Sequence, residues 1–320
     1  MHHSYRIRAI SVICFMIVLL LAGCARESAG TEASQEVASP HPATTSPIPT
    51  LSFEPTRTVP PPTATPPTPT TAATATLAPQ QILDEVRYLF DENGGCSLPC
   101  WWGIEPGKTT WEEALAILSP LAMEIFPPWP LGGNSPSLAS RIAYDILIPV
   151  SHDIYPVRLD HRYVVQDDVV QKIELEMGKV DRYQLSKILN DLGQPYEVWI
   201  STYSMAREGS LPFSAMLYYP QQAVLVHFAS EAEVEGDFVV GCPQDAPAFN
   251  LVLWRVEKQY KSFDAVVNDT LWLGSFNDWN YQRLENVTDI DPASFFETFK
   301  VAGNTTCIKS KAEHWPSPYN

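Results

Sequence analysis

The sequence predicts an α+β fold: two αβββ-type units with antiparallel sheet, plus a disulfide-tied C-terminal segment ending in a helix. Three observations predict it. A helical pattern followed by three strand-like runs occurs twice, about 70 residues apart. The run at 169–177 alternates apolar with charged residues, as a strand of an antiparallel sheet does when one face lies on a core and the other faces water. Cys96, Cys100, Cys242 and Cys307 complete the pattern, and Cys242 and Cys307 would staple the last segment to the middle of the domain.

The elements follow in order. Ile82, Val86, Leu89 and Phe90 recur at helical spacing after Pro79, and Asp91 to Gly95 ends that helix. Cys96-Ser-Leu-Pro-Cys100-Trp-Trp is expected to be a packed corner beside a disulfide. Thr110 and Glu113 read as a capping box for a helix whose apolar face is Trp111, Ala114, Leu115 and Leu118. The Pro- and Gly-rich stretch 127–136, with Trp129, reads as a loop. Strand-like runs follow at 141–150, 157–166 and 169–177, with Asp167-Asp168 as the turn between the last two. In the last run Ile173, Leu175 and Met177 alternate with Lys172, Glu174 and Glu176, which predicts the charged set in water.

The second unit starts with Asp181 as helix cap, then Leu185, Ile188, Leu189 and Leu192, with Gly193 and Pro195 as the stop. Runs at 196–204, 213–219 and 223–229 follow, the last two joined at Pro220-Gln221-Gln222. Residues 232–240, rich in Glu and Asp, read as an acidic edge strand or loop that discourages edge pairing. A strand is expected at 249–256. Asp291 and Pro292 open a helix with Phe295, Phe296 and Phe299 on its apolar face, closed by Gly303.

The N-terminal quarter is built differently. Met1 to Arg8 is short and basic, and Ala9 to Leu21 is an apolar run of about thirteen residues, below the ~20 that cross a bilayer as a helix. This is the pattern of a signal peptide, 1–23. Its end, Leu21-Ala22-Gly23-Cys24, resembles the lipobox of bacterial lipoproteins. That resemblance implies cleavage before Cys24, diacylglycerol and fatty acyl chains such as palmitate on Cys24, and a protein anchored by lipid to the cell membrane and facing its extracytoplasmic side. Residues 25–80 are dominated by Pro and Thr and bury almost nothing apolar, so ordering entropy is not repaid. As polyproline II this stalk would reach at most roughly 170 Å. Residues 81–320 form the folded part, divisible at 81–180, 181–240 and 241–320.

Composition narrows the partners. The chain carries 21 Lys and Arg against 37 Asp and Glu, a net charge of −16, and loss of 1–23 removes Arg6 and Arg8 and brings it to −18. That argues against nucleic acid as a partner, whose phosphates need cationic contacts. An exported chain favours disulfides. Cys96–Cys100 with Cys242–Cys307 is the favoured pairing, and the crossed connectivities are the alternative. The CxxxC spacing is neither the redox CxxC nor part of a zinc site, and no cofactor or metal is expected.

Gly107-Lys108-Thr109 before one helix and Leu192-Gly193-Gln194-Pro195 after the other resemble the signatures of β-lactamase-inhibitor proteins and the small lipoproteins of outer-membrane assembly. The resemblance covers about residues 103–229 and implies protein binding by a sheet face, without an active site. No nucleophile elbow, P-loop or dinucleotide glycine pattern is present. His152, His161, His227 and His314 stand in no metal or catalytic spacing and are expected to be structural. Trp129, Trp272, Trp279 and Tyr281 lie among polar residues and are the candidates for stacking on a glycan. The expectation is a non-catalytic protein-interaction module tethered to the membrane. A surface carbohydrate-binding module is the second expectation and an extracytoplasmic hydrolase the third.

Overall fold

A computed structural model describes residues 77–131, 141–151, 158–178, 180–204, 211–243, 248–271 and 280–317, all within one of the chain's two compact units, Thr70–Asn320. Helix α1, Pro79–Glu92, has Pro at its start and ends at Asn93 in the left-handed conformation. Val86, Leu89 and Phe90 are its buried face. Asn93 is itself buried and organises the cysteine corner. Its amide nitrogen donates to the carbonyl oxygens of Cys96 (2.9 Å) and Cys100 (2.8 Å), and its amide oxygen accepts from Trp102 N (3.0 Å). The Cys96–Cys100 disulfide closes that loop, and Trp101 and Trp102 are fully buried behind it, stacked 5.1 Å apart.

Helix α2, Trp111–Leu118, carries the capping box. Thr110 Oγ1 accepts from Glu113 N (3.3 Å), and Glu113 Oε2 accepts from Thr110 N (2.9 Å). Gly107, before it, has φ +87°, and an added Cβ would meet Arg255 Cβ at 2.7 Å, so only glycine fits there. Two short strands, β1 (Glu124–Ile125) and β2 (Trp129–Pro130), lead to the long strands β3 (Arg141–Pro149), β4 (Arg158–Gln166) and β5 (Val169–Glu176). Asp167 and Asp168 both have positive φ, as a two-residue hairpin turn requires.

Helix α3, Leu185–Leu192, starts from Gln184 without a side-chain cap. Asp181 opens a 3₁₀ turn, Asp181–Tyr183, and accepts from the Gln184 amide at 2.9 Å, so it does not cap the helix as its sequence position suggests. Gly193, at φ 80°, ends α3. Strands β6 (Glu197–Ser201), β7 (Leu211–Tyr219) and β8 (Val224–Glu235) follow. Strand β9, Phe238–Gly241, returns along β8 and also pairs with a later strand. The acidic stretch is therefore a hairpin: β9 is paired on both sides, with β8 and β12, while Glu233–Glu235 of β8 pair with β9 alone. After β10 (Ala248–Trp254) come α4 (Phe263–Asp269), β11 (Gln282–Arg283), α5 (Leu284–Val287), α6 (Pro292–Phe299) and β12 (Ile308–Lys311).

The described residues past α6 correct another expectation: the segment goes on beyond that helix into a strand and a 3₁₀ turn, Ala312–His314. The Cys242–Cys307 disulfide (Cα–Cα 4.3 Å) holds Ile308 opposite Gly241, and the alternating burial of Ile308-Lys-Ser-Lys311 suits pairing with β9. Gly241 lies so close beneath the Phe213 ring that an added Cβ would overlap it.

All twelve strands join one antiparallel sheet in the order β1-β3-β4-β5-β10-β8-β7-β6-β11, with β2 on β3 and with β9 and β12 branching from β8. β10 lies between the two meanders and makes them continuous. One face carries the main core, where Tyr163, Ile173, Leu175, Leu217, Val226 and Leu251 meet the apolar faces of α1, α2, α3 and α6. The other face carries a smaller core: Met216, Tyr218, Leu225, Val252 and Trp254 under Phe263, Val266 and Val267 of α4. No helix among the described residues is long and apolar enough to cross a membrane.

Candidate functional site

The second face holds most of the polar chemistry, and it overturns the reading of β5 as half in water. Lys172 and Glu174 are 1% and 0% exposed. Alternation places them opposite the main core, but α4 and the chain around it cover that side. Lys172 Nζ donates to Glu174 Oε1 at 2.7 Å and to the backbone oxygen of Asp269 at the end of α4, a favourable place for a cation. Leu271 N donates to both Glu174 oxygens at 3.2 Å. Asp269 is the hub. Its carboxylate accepts from Arg141 (2.8 and 3.4 Å), from Lys258 (2.8 Å) and from the Tyr260 hydroxyl. Burial pushes the Asp269 carboxyl up, but Lys172, Arg141, Lys258 and Tyr260 together outweigh it and hold the group well below the usual carboxylate range.

The network continues outward. Arg162 bonds Asp145 at 2.6 and 3.3 Å, and its guanidinium lies 5.2 Å over the Trp129 ring, whose Nε1 donates to Asp145 at 3.1 Å. At the far end of the face Arg283 pairs with Glu197 and lies over Trp199, which stacks 4.4 Å from Phe263. Charges this deep are stable only when paired. The Asp269 hub holds the end of α4 on the sheet, while the Arg162–Asp145 and Arg283–Glu197 pairs tie neighbouring strands. In the middle, His227 reaches Asn250 Oδ1 (3.2 Å) through Nδ1 and Ser214 Oγ (3.1 Å) through Nε2. That order resembles a nucleophile, base and orienter. All three residues are buried, however, and Ser214 lies within β7, so the set joins β7, β8 and β10. Burial lowers the His227 pKa to about 4, against the hydrogen bond to Asn250, and lowers that of His161 to about 3 in its box of Phe90, Trp101 and Trp102. Both imidazoles are neutral near pH 7.

The surface offers two further features. The first is an apolar edge made by β1, β2 and the chain between them. Met123 is 57% exposed, Ile125 36% and Ile142, on the adjoining strand, 37%. Pro127, Pro128 and Pro130 are also exposed. Two-residue strands and prolines make this a poor template for strand addition, so it offers side chains rather than backbone bonds. The second is an open cleft of about 320 Å³ lined by Phe238, Glu285, Asn286, Val287, Thr288, Asp289, Lys309, Lys311 and His314.

Of the stacking candidates, Trp129 is half-buried under Arg162, and Tyr281 packs edge-on to Phe263 at 5.9 Å, its ring spent on the second core. Trp272, Trp279 and His152 lie outside the described residues, as do Cys24 and the stalk. His314 borders the cleft. Both disulfides join the favoured pairs, Cys96–Cys100 and Cys242–Cys307. No group of three metal-ligating side chains occurs among the described residues. The buried charge hub and the cleft were invisible in the sequence, because each gathers residues from distant segments: 141, 172–174 and 258–269 in one, 238, 285–289 and 309–314 in the other. No family model, no curated protein and no solved structure matches the chain.

Proposed function

We propose that the protein is an exported lipoprotein, anchored at Cys24 and raised on its Pro/Thr stalk, whose α+β domain is a non-catalytic module that binds a protein partner. The exposed apolar side chains of Met123, Ile125, Ile142 and the prolines at 127, 128 and 130, gathered at one edge of the sheet, carry this reading, since grouped surface apolar residues are what a protein partner covers. The two bonded cysteine pairs support export to an oxidising compartment. The order α2 then β3, β4 and β5, and α3 then β6, β7 and β8, supports two αβββ units of the inhibitor-like kind. The buried, mutually compensated state of Ser214, His227 and Asn250 and of the Asp269 hub supports binding over catalysis.

The test is made on the full chain at the cell surface. A photo-crosslinking residue at position 125 should give a discrete adduct, and one at the exposed Lys187 on α3 should not. Met123→Asp should abolish the adduct. Absence of any adduct at 125 removes the protein-partner reading. Membrane fractionation tests the anchor separately: Cys24→Ala should release the protein, and retention would overturn lipidation.

A further inference from the structure

The cleft is independent of the apolar edge, and its walls differ in sign. One wall is β12 and the turn after it, bearing Lys309, Lys311 and His314. The other is α5 and the turn after it, bearing Glu285, Asn286 and Asp289. Val287 and the partly exposed Phe238 add the apolar surface. The register fixes the cationic wall: Lys309 stands opposite Val240 and Lys311 opposite Phe238, so both lysines share a face with the Phe238 ring. The Cys242–Cys307 disulfide holds that ribbon at its base. Among the described residues the side chains of Asn286, Asp289 and His314 make no hydrogen bond or ion pair. The lysines are paired only loosely, Lys309 with Glu235 at 3.2 Å and Lys311 with Glu313 at 3.3 Å, with every partner at least half exposed. Such pairs contribute roughly 0–1 kcal/mol and exchange readily for a ligand.

Two lysines in exposed pairs face Asp289 and Glu285, the latter in an equally loose pair with Arg283 at 4.0 Å, so the cleft offers both signs of charge with little net charge. It disfavours a ligand of one net charge and favours one that carries both signs. Its volume of about 320 Å³ stands at the small end of the ~300–1,000 Å³ typical of ligand sites. We infer that this cleft binds a small zwitterion, an amino acid or short peptide with free ends, placing its carboxylate on Lys309, Lys311 and His314 and its ammonium on Glu285 and Asp289.

The test is calorimetry on the full-length protein in detergent, with L-alanyl-L-alanine as probe. Three comparison compounds are used: the N-acetylated dipeptide, the dipeptide amide, and chitotriose. The free dipeptide should bind, and blocking either end should weaken binding at least tenfold. Asp289→Asn should weaken the free dipeptide and leave the N-acetylated one unchanged. Lys311→Met should weaken the free dipeptide and leave the amide unchanged. Both positions are exposed, so folding should be retained and is checked by circular dichroism. Single alanine competing as well as the dipeptide supports an amino acid as the natural occupant. Equal binding of blocked and free dipeptides overturns the inference, as does tighter binding of chitotriose or no heat from the free dipeptide at millimolar concentration. None of these outcomes depends on the partner of the apolar edge.

Discussion

The two faces of the sheet are closed by different physics. On the first, helices bring apolar and aromatic side chains onto Tyr163, Ile173 and Leu175, and the hydrophobic effect suffices. On the second, a small apolar cluster under α4 is flanked by the Asp269 hub at one end and by the Arg283–Glu197 pair at the other. The first face needs only shape and apolarity. The second needs every charge to find its partner, because an unpaired buried charge costs far more than an unfilled gap.

The largest expected effects set the two faces side by side. Trp102→Ala on the first should cost about 3–5 kcal/mol by leaving a cavity. Asp269→Ala on the second should cost a similar ~3–5 kcal/mol by stranding the buried Arg141. Urea unfolding measures both, and a loss under about 1 kcal/mol for Asp269→Ala would erase the contrast. An apolar residue at 269 would be no milder than alanine, whereas Trp102→Phe should recover much of the loss at 102.

Acid comes next, since each face holds one buried histidine with a depressed pKa. His161 and His227 stay neutral in the folded chain down to about 3 and about 4, while the unfolded chain takes up the protons near 6.5. Stability is therefore full above about pH 6.5 and falls as pH drops toward 4, by about 1.4 kcal/mol per pH unit for each histidine. His161→Phe and His227→Gln should each halve that slope in melts between pH 7 and 4.5. A slope that only one variant changes would mean that one face admits water.

The last two effects are smaller. Thr110→Ala should cost about 1 kcal/mol through loss of the α2 cap. Lys309→Ala, at an exposed pair beside the cleft, should cost less than about 1 kcal/mol and become smaller still in salt. A larger loss at Lys309 would make the cleft wall part of the fold rather than a surface laid on it.

The same contrast explains what the sequence disclosed. Local features were legible: the Thr110–Glu113 box, the Asp167-Asp168 turn, Gly193, the strands of both meanders and the bonded cysteine pairs. Lys172 and Glu174 were misread because a two-residue period tells which side a residue faces and nothing of what covers that side. Their partner, Asp269, lies about a hundred residues further on. The strand at 308–311 was missed for a related reason. Four residues reading Ile-Lys-Ser-Lys carry too little pattern, and only the Cys242–Cys307 bridge places them beside β9.

The position of β10 gives the domain a direction of assembly. It is made after both meanders, yet it lies between them, hydrogen-bonded to β5 on one side and β8 on the other. A chain delivered from its N-terminus therefore presents two half-sheets with raw inner edges until residue 254 has emerged. The segment that follows at once, 255–271, carries Lys258, Tyr260, α4 and Asp269, which lock the second face as soon as the gap is closed. Assembly from the N-terminus thus completes the sheet only when β10 arrives, and truncation before residue 248 leaves two ribbons with no strand between them.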